Sequence, residues 1–173
     1  MKLFKKTLFI LIIILFILSV FAFIYALGFF TNLVPTQDPY PEFFQKAQEF
    51  NHFLFNASFY LLLVMGLNLA LSLKNKNLSM TKCFLLSVTS IIIIVISGLM
   101  ITRLKEIKTL YLSLDFTNPN FLIFTPGGYE PSNLLFIFGY FLSYALILTG
   151  VVTEINLLYL VFRKIGKCDE YQI

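Results

Sequence analysis

The chain has 173 residues, of which 58% are hydrophobic and only 13% are Asp, Glu, Lys or Arg. A soluble domain carries about twice that charged share, so the composition excludes a soluble globular domain, a disordered chain and a disulfide scaffold. The net charge of +4 is not a nucleic-acid signal, because the basic residues cluster at the ends of apolar runs, where they orient helices in a membrane.

The first apolar run covers 8–30 and follows Lys2, Lys5 and Lys6. It begins like a signal peptide, but it is longer than the ~7–15 residues of a secretory core, and no Ala-x-Ala site follows. We read it as an uncleaved signal anchor. A helix needs about 20 apolar residues to cross the ~30 Å hydrocarbon core, and this run supplies them.

The segment 31–52 contains Pro35, Pro39 and Pro41. Pro41 suits the first turn of a helix, where a missing N–H costs nothing. Phe43, Phe44, Ala47, Phe50 and Leu54 then recur at spacings of three and four. A second helix is therefore expected from Pro41 to Leu73, with its membrane part at 53–73.

The third run covers 83–102. Its link to the second, with Lys74, Lys76 and Lys82, is short and basic, so the two helices form an antiparallel hairpin. Leu104, Ile107, Leu110, Tyr111 and Leu114 continue with helical spacing, beside the polar Arg103, Lys105, Glu106 and Lys108. This predicts a helix from Met80 to Leu114. The alternation of Leu110, Leu112 and Leu114 leaves a strand over 109–116 open. Two such extensions predict an outer knob of Phe43, Ala47, Phe50, Ile107, Leu110 and Leu114. The rest of the segment 103–133 is expected to be a loop. Asn118-Pro119 and Pro126-Gly127-Gly128 are turn signals on either side of the apolar Phe121–Phe124 stretch.

The fourth run covers 134–162. Together these elements make one membrane domain, 1–173: an all-α, integral membrane four-helix bundle with the second and third helices extended on the outer side. Lys2, Lys5, Lys6, Lys74, Lys76, Lys82, Arg163, Lys164 and Lys167 fall on one side, and Lys46, Arg103, Lys105 and Lys108 on the other. Nine against four places both termini in the cytoplasm. The cluster at 103–108 dissents from that pattern. Heavy use of Phe, Ile, Lys and Asn is the usage of an AT-rich genome, so a bacterial cell membrane is the expected location.

Glu154 is the sharpest single feature. It lies inside the fourth run, nine residues or ~13 Å of helix from Arg163. A carboxyl group in hydrocarbon costs several kcal/mol and normally faces a bundle interior or a cavity. Asn68, Ser87 and Ser90 match it in depth, and Thr153 and Asn156 lie near it in sequence. Three readings stay open: proton or cation coupling at this polar cluster, a structural polar contact, or a Glu154 that merely sits at the inner interface.

Other features are weaker. The single histidine, His52, excludes a bis-histidine haem site within one chain, and Cys83 and Cys168 form no C-x-x-C. No cofactor or metal is expected. His52 and Asn56 share one face and read as an exposed interfacial pair. Small residues four apart at Ala22/Ala26, Gly66/Ala70 and Gly139/Ser143 suit close helix packing. No catalytic motif is present.

The expected partners are the lipid bilayer and a membrane-protein partner or a second copy of the chain, with no nucleic acid. The expected role is a non-enzymatic accessory or scaffold subunit of a membrane complex. The alternative is a small oligomeric transporter or channel that uses Glu154 for proton or cation coupling.

Overall fold

The structure, a computed structural model, describes residues 2–33, 40–74, 79–115 and 133–169. The described residues form four helices: α1 (Lys2–Leu33), α2 (Pro41–Lys74), α3 (Met80–Leu112) and α4 (Leu134–Asp169). Each extends beyond the apolar run that announced it. α2 has 34 residues, a length of about 50 Å at 1.5 Å per residue. The stretch Phe121–Phe124 lies outside the described residues.

Local chemistry sets the ends. Pro41 opens α2, and the Phe44 N–H bonds back to the Tyr40 carbonyl at 3.1 Å. Ser79 caps α3, its side chain accepting the Lys82 N–H at 3.3 Å, which satisfies a donor that the helix leaves orphaned. α3 stops at Leu112, two residues short of the expected Leu114. The reason is Ser113: its N–H bonds to the Leu110 carbonyl at 3.2 Å, and its hydroxyl donates to the same oxygen at 2.7 Å. These three-residue bonds tighten and end the last turn. Thr109 to Leu112 are helical, so the strand alternative does not hold there.

The helices run up and down in sequence. α1 packs on α2 and α4, and α3 packs on the same two; among the described residues the backbones of the diagonal pairs stay apart. Phe4, early in α1, stacks on Tyr159, late in α4, at 4.2 Å. At the other end Tyr25 donates to the Leu135 carbonyl at 3.1 Å. α2 and α3 are likewise antiparallel, since Phe43 meets Tyr111 and Asn68 meets Thr89.

The buried positions follow a heptad rhythm. On α3 they include Cys83, Leu86, Ser90, Ile93, Ser97, Met100, Leu104, Ile107 and Tyr111, alternating three and four apart. On α1 Leu8, Ile12, Leu15, Ser19, Ala22, Ala26 and Phe29 keep the same spacing. On α4 the seam runs through Phe136, Gly139, Ser143, Leu146, Gly150, Thr153, Leu157 and Leu160. A mean period of 3.5 keeps one narrow seam facing the partners and winds helices around each other.

α2 breaks the rhythm once. Leu54 and Ser58 are four apart, directly after another interval of four from Phe50. Such a stutter shifts the seam locally. A cavity of about 20 Å³ sits at this level, lined by Leu54, Ala57 and Ser58 of α2 and by Ala22, Ser97 and Leu146 of the other helices. That is room for about one water.

The expected knob is present in altered form. Phe43, Ala47, Phe50 and Ile107 are buried as expected, but Leu110 and Leu114 are only partly buried, and Tyr111 takes the central place. The layer also draws in α1 and α4. Phe29 meets Phe50 at 5.1 Å and Phe136 at 6.3 Å, both edge to face, and Tyr111 lies 5.4 Å from Phe136. Aromatic edges and faces attract through their quadrupoles. The knob is thus a four-helix aromatic cap.

The outside of the bundle is apolar. Phe84 is 72% exposed and Leu148 is 67% exposed, and all four helices are long and apolar enough to cross a membrane. Only about a third of each span is buried. Apolar patches of this extent face lipid or another protein rather than water. The chain is a small multi-span membrane protein with an all-α, four-helix bundle fold.

Candidate functional site

A polar layer crosses the bundle near the end that carries Lys5, Lys6 and Lys82. It is built mainly from the sequence Ser87-Val88-Thr89-Ser90 on α3. In about one turn this segment sends polar groups toward both neighbouring helices. On one flank Ser87 donates to Glu154 Oε2 at 2.8 Å. On the other, Asn68 Nδ2 of α2 donates to Thr89 Oγ1 at 3.4 Å. Ser90 lies between them on the buried seam.

Hydroxyls in this layer are largely satisfied by their own helix. Thr89 donates to the Leu85 carbonyl, Ser72 to the Asn68 carbonyl, and Thr153 to the Thr149 carbonyl. Bonding back one turn is the local solution for Ser and Thr where water is excluded. Other groups lack that solution. Ser90 Oγ, Glu154 Oε1 and both polar atoms of the Asn156 side chain are buried without a hydrogen-bond partner. In a protein interior such groups are uncommon, and each costs about 1–3 kcal/mol.

The five expected residues therefore share a layer but do not form one cluster. Glu154 and Ser87 meet directly. Asn68 bonds to Thr89, across α3 from that pair. Ser90 and Asn156 are buried, with no hydrogen bond to the others. Thr89 is a residue that sequence reasoning missed. Its signal was present: Ser-Val-Thr-Ser is a polar run within an apolar helix, and Thr89 lies 21 residues from Asn68 across a hairpin.

Glu154 is half-buried, next to the fully buried Thr153 of the seam. It occupies the flank of α4, where it reaches α3. Lys82 of the same helix turns away, its Nζ donating to the Leu71 carbonyl at 3.2 Å and closing the end of α2. Cations favour a helix C-terminus for this reason.

The remaining features resolve simply. His52 and Asn56 are both exposed. Ala22, Ala26, Gly139 and Ser143 face the interior, whereas Ala70 faces outward. Among the described residues no group of His, Cys, Asp and Glu is placed to hold a metal ion. No family model, curated protein or solved structure matches the chain.

Proposed function

We propose that this protein is a non-enzymatic accessory or scaffold subunit of a membrane complex. One observation carries the reading. Among the described residues the four helices pack through their seams, and the mid-bundle cavity holds about 20 Å³, room for about one water rather than a solute. The surfaces left to do work are the outward faces of the helices and the mixed-charge end.

The nine-basic end belongs in the cytoplasm by the positive-inside rule, which puts the aromatic cap on the outer side of a cell membrane. Mild detergent extraction of the tagged chain from its own membranes tests the role. A stoichiometric partner is expected. Recovery of nothing but monomer or homo-oligomer across several detergents contradicts it.

A second reading rests on the unpartnered Oε1 of Glu154. In it, copies of the chain assemble into a small transporter or channel, and Glu154 carries a proton or cation along a path between copies. Proteoliposome flux that falls with Glu154→Gln supports this. Equal flux in both forms removes the residue from any such mechanism.

A further inference from the structure

The basic cluster at 103–108 runs against the charge pattern of the rest of the chain, and its placement explains it. The end of the bundle that bears the aromatic cap carries four basic residues: Lys46, Arg103, Lys105 and Lys108. Two are neutralised locally. Lys46 pairs with Glu42 at 3.2 Å, and Arg103 pairs with Glu106 at 3.5 Å. Lys105 and Lys108 have no acidic partner among the described residues. Both line one open groove of about 520 Å³ between α3 and α4, together with Ile101, Tyr140 and Tyr144.

The groove has a vertical order. Leu104 approaches Gly139 closely, so Lys105 lies level with the start of the Tyr140 turn. Lys105 is three residues past Thr102, the end of the apolar run, or ~4.5 Å beyond it. Tyr144 is one turn deeper than Tyr140. Lysines and tyrosines thus share one groove just past the apolar run, where headgroup and hydrocarbon meet. Further down the same face of α3 comes Gly98, three residues before Ile101 and seven before Lys105. A side chain added there meets nothing within 4 Å, whereas one at Gly139 or Gly150 runs into neighbouring side chains. Below the groove, the surface of α3 at Gly98 is therefore open.

We propose that this groove is a binding site for an anionic phospholipid. Its phosphate sits between the Lys105 and Lys108 ammonium groups and the Tyr140 and Tyr144 hydroxyls, and one acyl chain lies along α3 over Gly98. The charges select the headgroup, since a basic residue at a membrane surface favours an anionic lipid by about fivefold. The open surface at Gly98 gives a tail a place to lie, which a free anion does not use.

The test is native mass spectrometry of the full chain from phosphatidylcholine nanodiscs doped with phosphatidylglycerol. Wild type is expected to retain phosphatidylglycerol above its share of the bilayer. Lys105→Gln and Lys108→Gln each lower that enrichment about fivefold. Lys46→Gln leaves it unchanged, and Gly98→Leu lowers it with every charge in place. Melting in pure phosphatidylcholine nanodiscs, equal for all variants, shows that the fold is intact. Enrichment that survives loss of both Lys105 and Lys108, or falls equally with Lys46→Gln, overturns the proposal. Displacement by inorganic phosphate with no effect of Gly98→Leu also overturns it, in favour of a free-anion site.

Discussion

The Ser87 hydroxyl donates to Glu154 Oε2 at 2.8 Å, while Oε1 of the same carboxyl group is buried with no partner. One helix supplies the donor and the next supplies the acceptor, so this bond ties α3 to α4 within the apolar span. Ser87→Ala leaves both oxygens unsatisfied and is expected to cost about 1–3 kcal/mol. Glu154→Gln keeps an acceptor for Ser87 and should cost less. The double variant Ser87→Ala/Glu154→Leu removes both partners and should be nearly neutral. Unfolding by SDS in mixed micelles measures all three. A Ser87→Ala protein as stable as wild type contradicts the structural role of this bond.

The glycines of the interior differ in what surrounds them. A methyl group at Gly139 meets the Tyr25 hydroxyl and, at 2.8 Å, Leu104 Cδ1. Tyr25 is not free to yield, because it donates to the Leu135 carbonyl. At Gly66 the nearest atom, in the Phe16 ring, is 3.6 Å away, an ordinary contact. Gly139→Ala should therefore destabilise the bundle by about 1–3 kcal/mol through overpacking. Gly66→Ala should be neutral or slightly stabilising, since alanine is the better helix former. The same SDS titration separates them. Equal effects at both sites count against the packing described at Gly139.

The orientation is tested by thiol labelling, but not at Cys83, which is buried at 8% exposure and belongs to the α3 seam. Thr81 and Gln48 are exposed at opposite ends of the bundle. In a background of Cys83→Ala and Cys168→Ser, an impermeant maleimide applied to intact cells should label Gln48→Cys and spare Thr81→Cys. The reverse pattern inverts the topology.

Much of the fold was legible in the sequence, and for a physical reason. Spans are announced by length and hydropathy, and Pro41 and Ser79 mark helix starts through backbone chemistry that is local. The heptad seam was harder to see, because both seam and lipid-facing positions are apolar. Leu146 is buried and Leu148 is exposed, yet nothing in their side chains distinguishes them. The end of α3 was misplaced by two residues, because the apolar pattern runs on through Leu114 while Ser113 stops the helix. The candidate site was legible in depth only. Counting from Lys74, Lys82 and Arg163 put Asn68, Ser87 and Glu154 at one level, and they share one. Which flank of α3 each would meet depends on helix rotation, and this separated Asn68 from Glu154 and paired it with Thr89.

We propose that the outward faces of the helices carry the function. Site-specific photo-cross-linking in the native membrane is the test. A benzophenone amino acid is placed at outward positions on each helix (Ile24, Leu67, Phe84 and Leu148) and at the buried Leu146. Adducts to one distinct polypeptide are predicted from an outward position, with cross-links confined to the chain itself from Leu146. Outward positions on all four helices that capture lipid and copies of the same chain, and no other protein, contradict it.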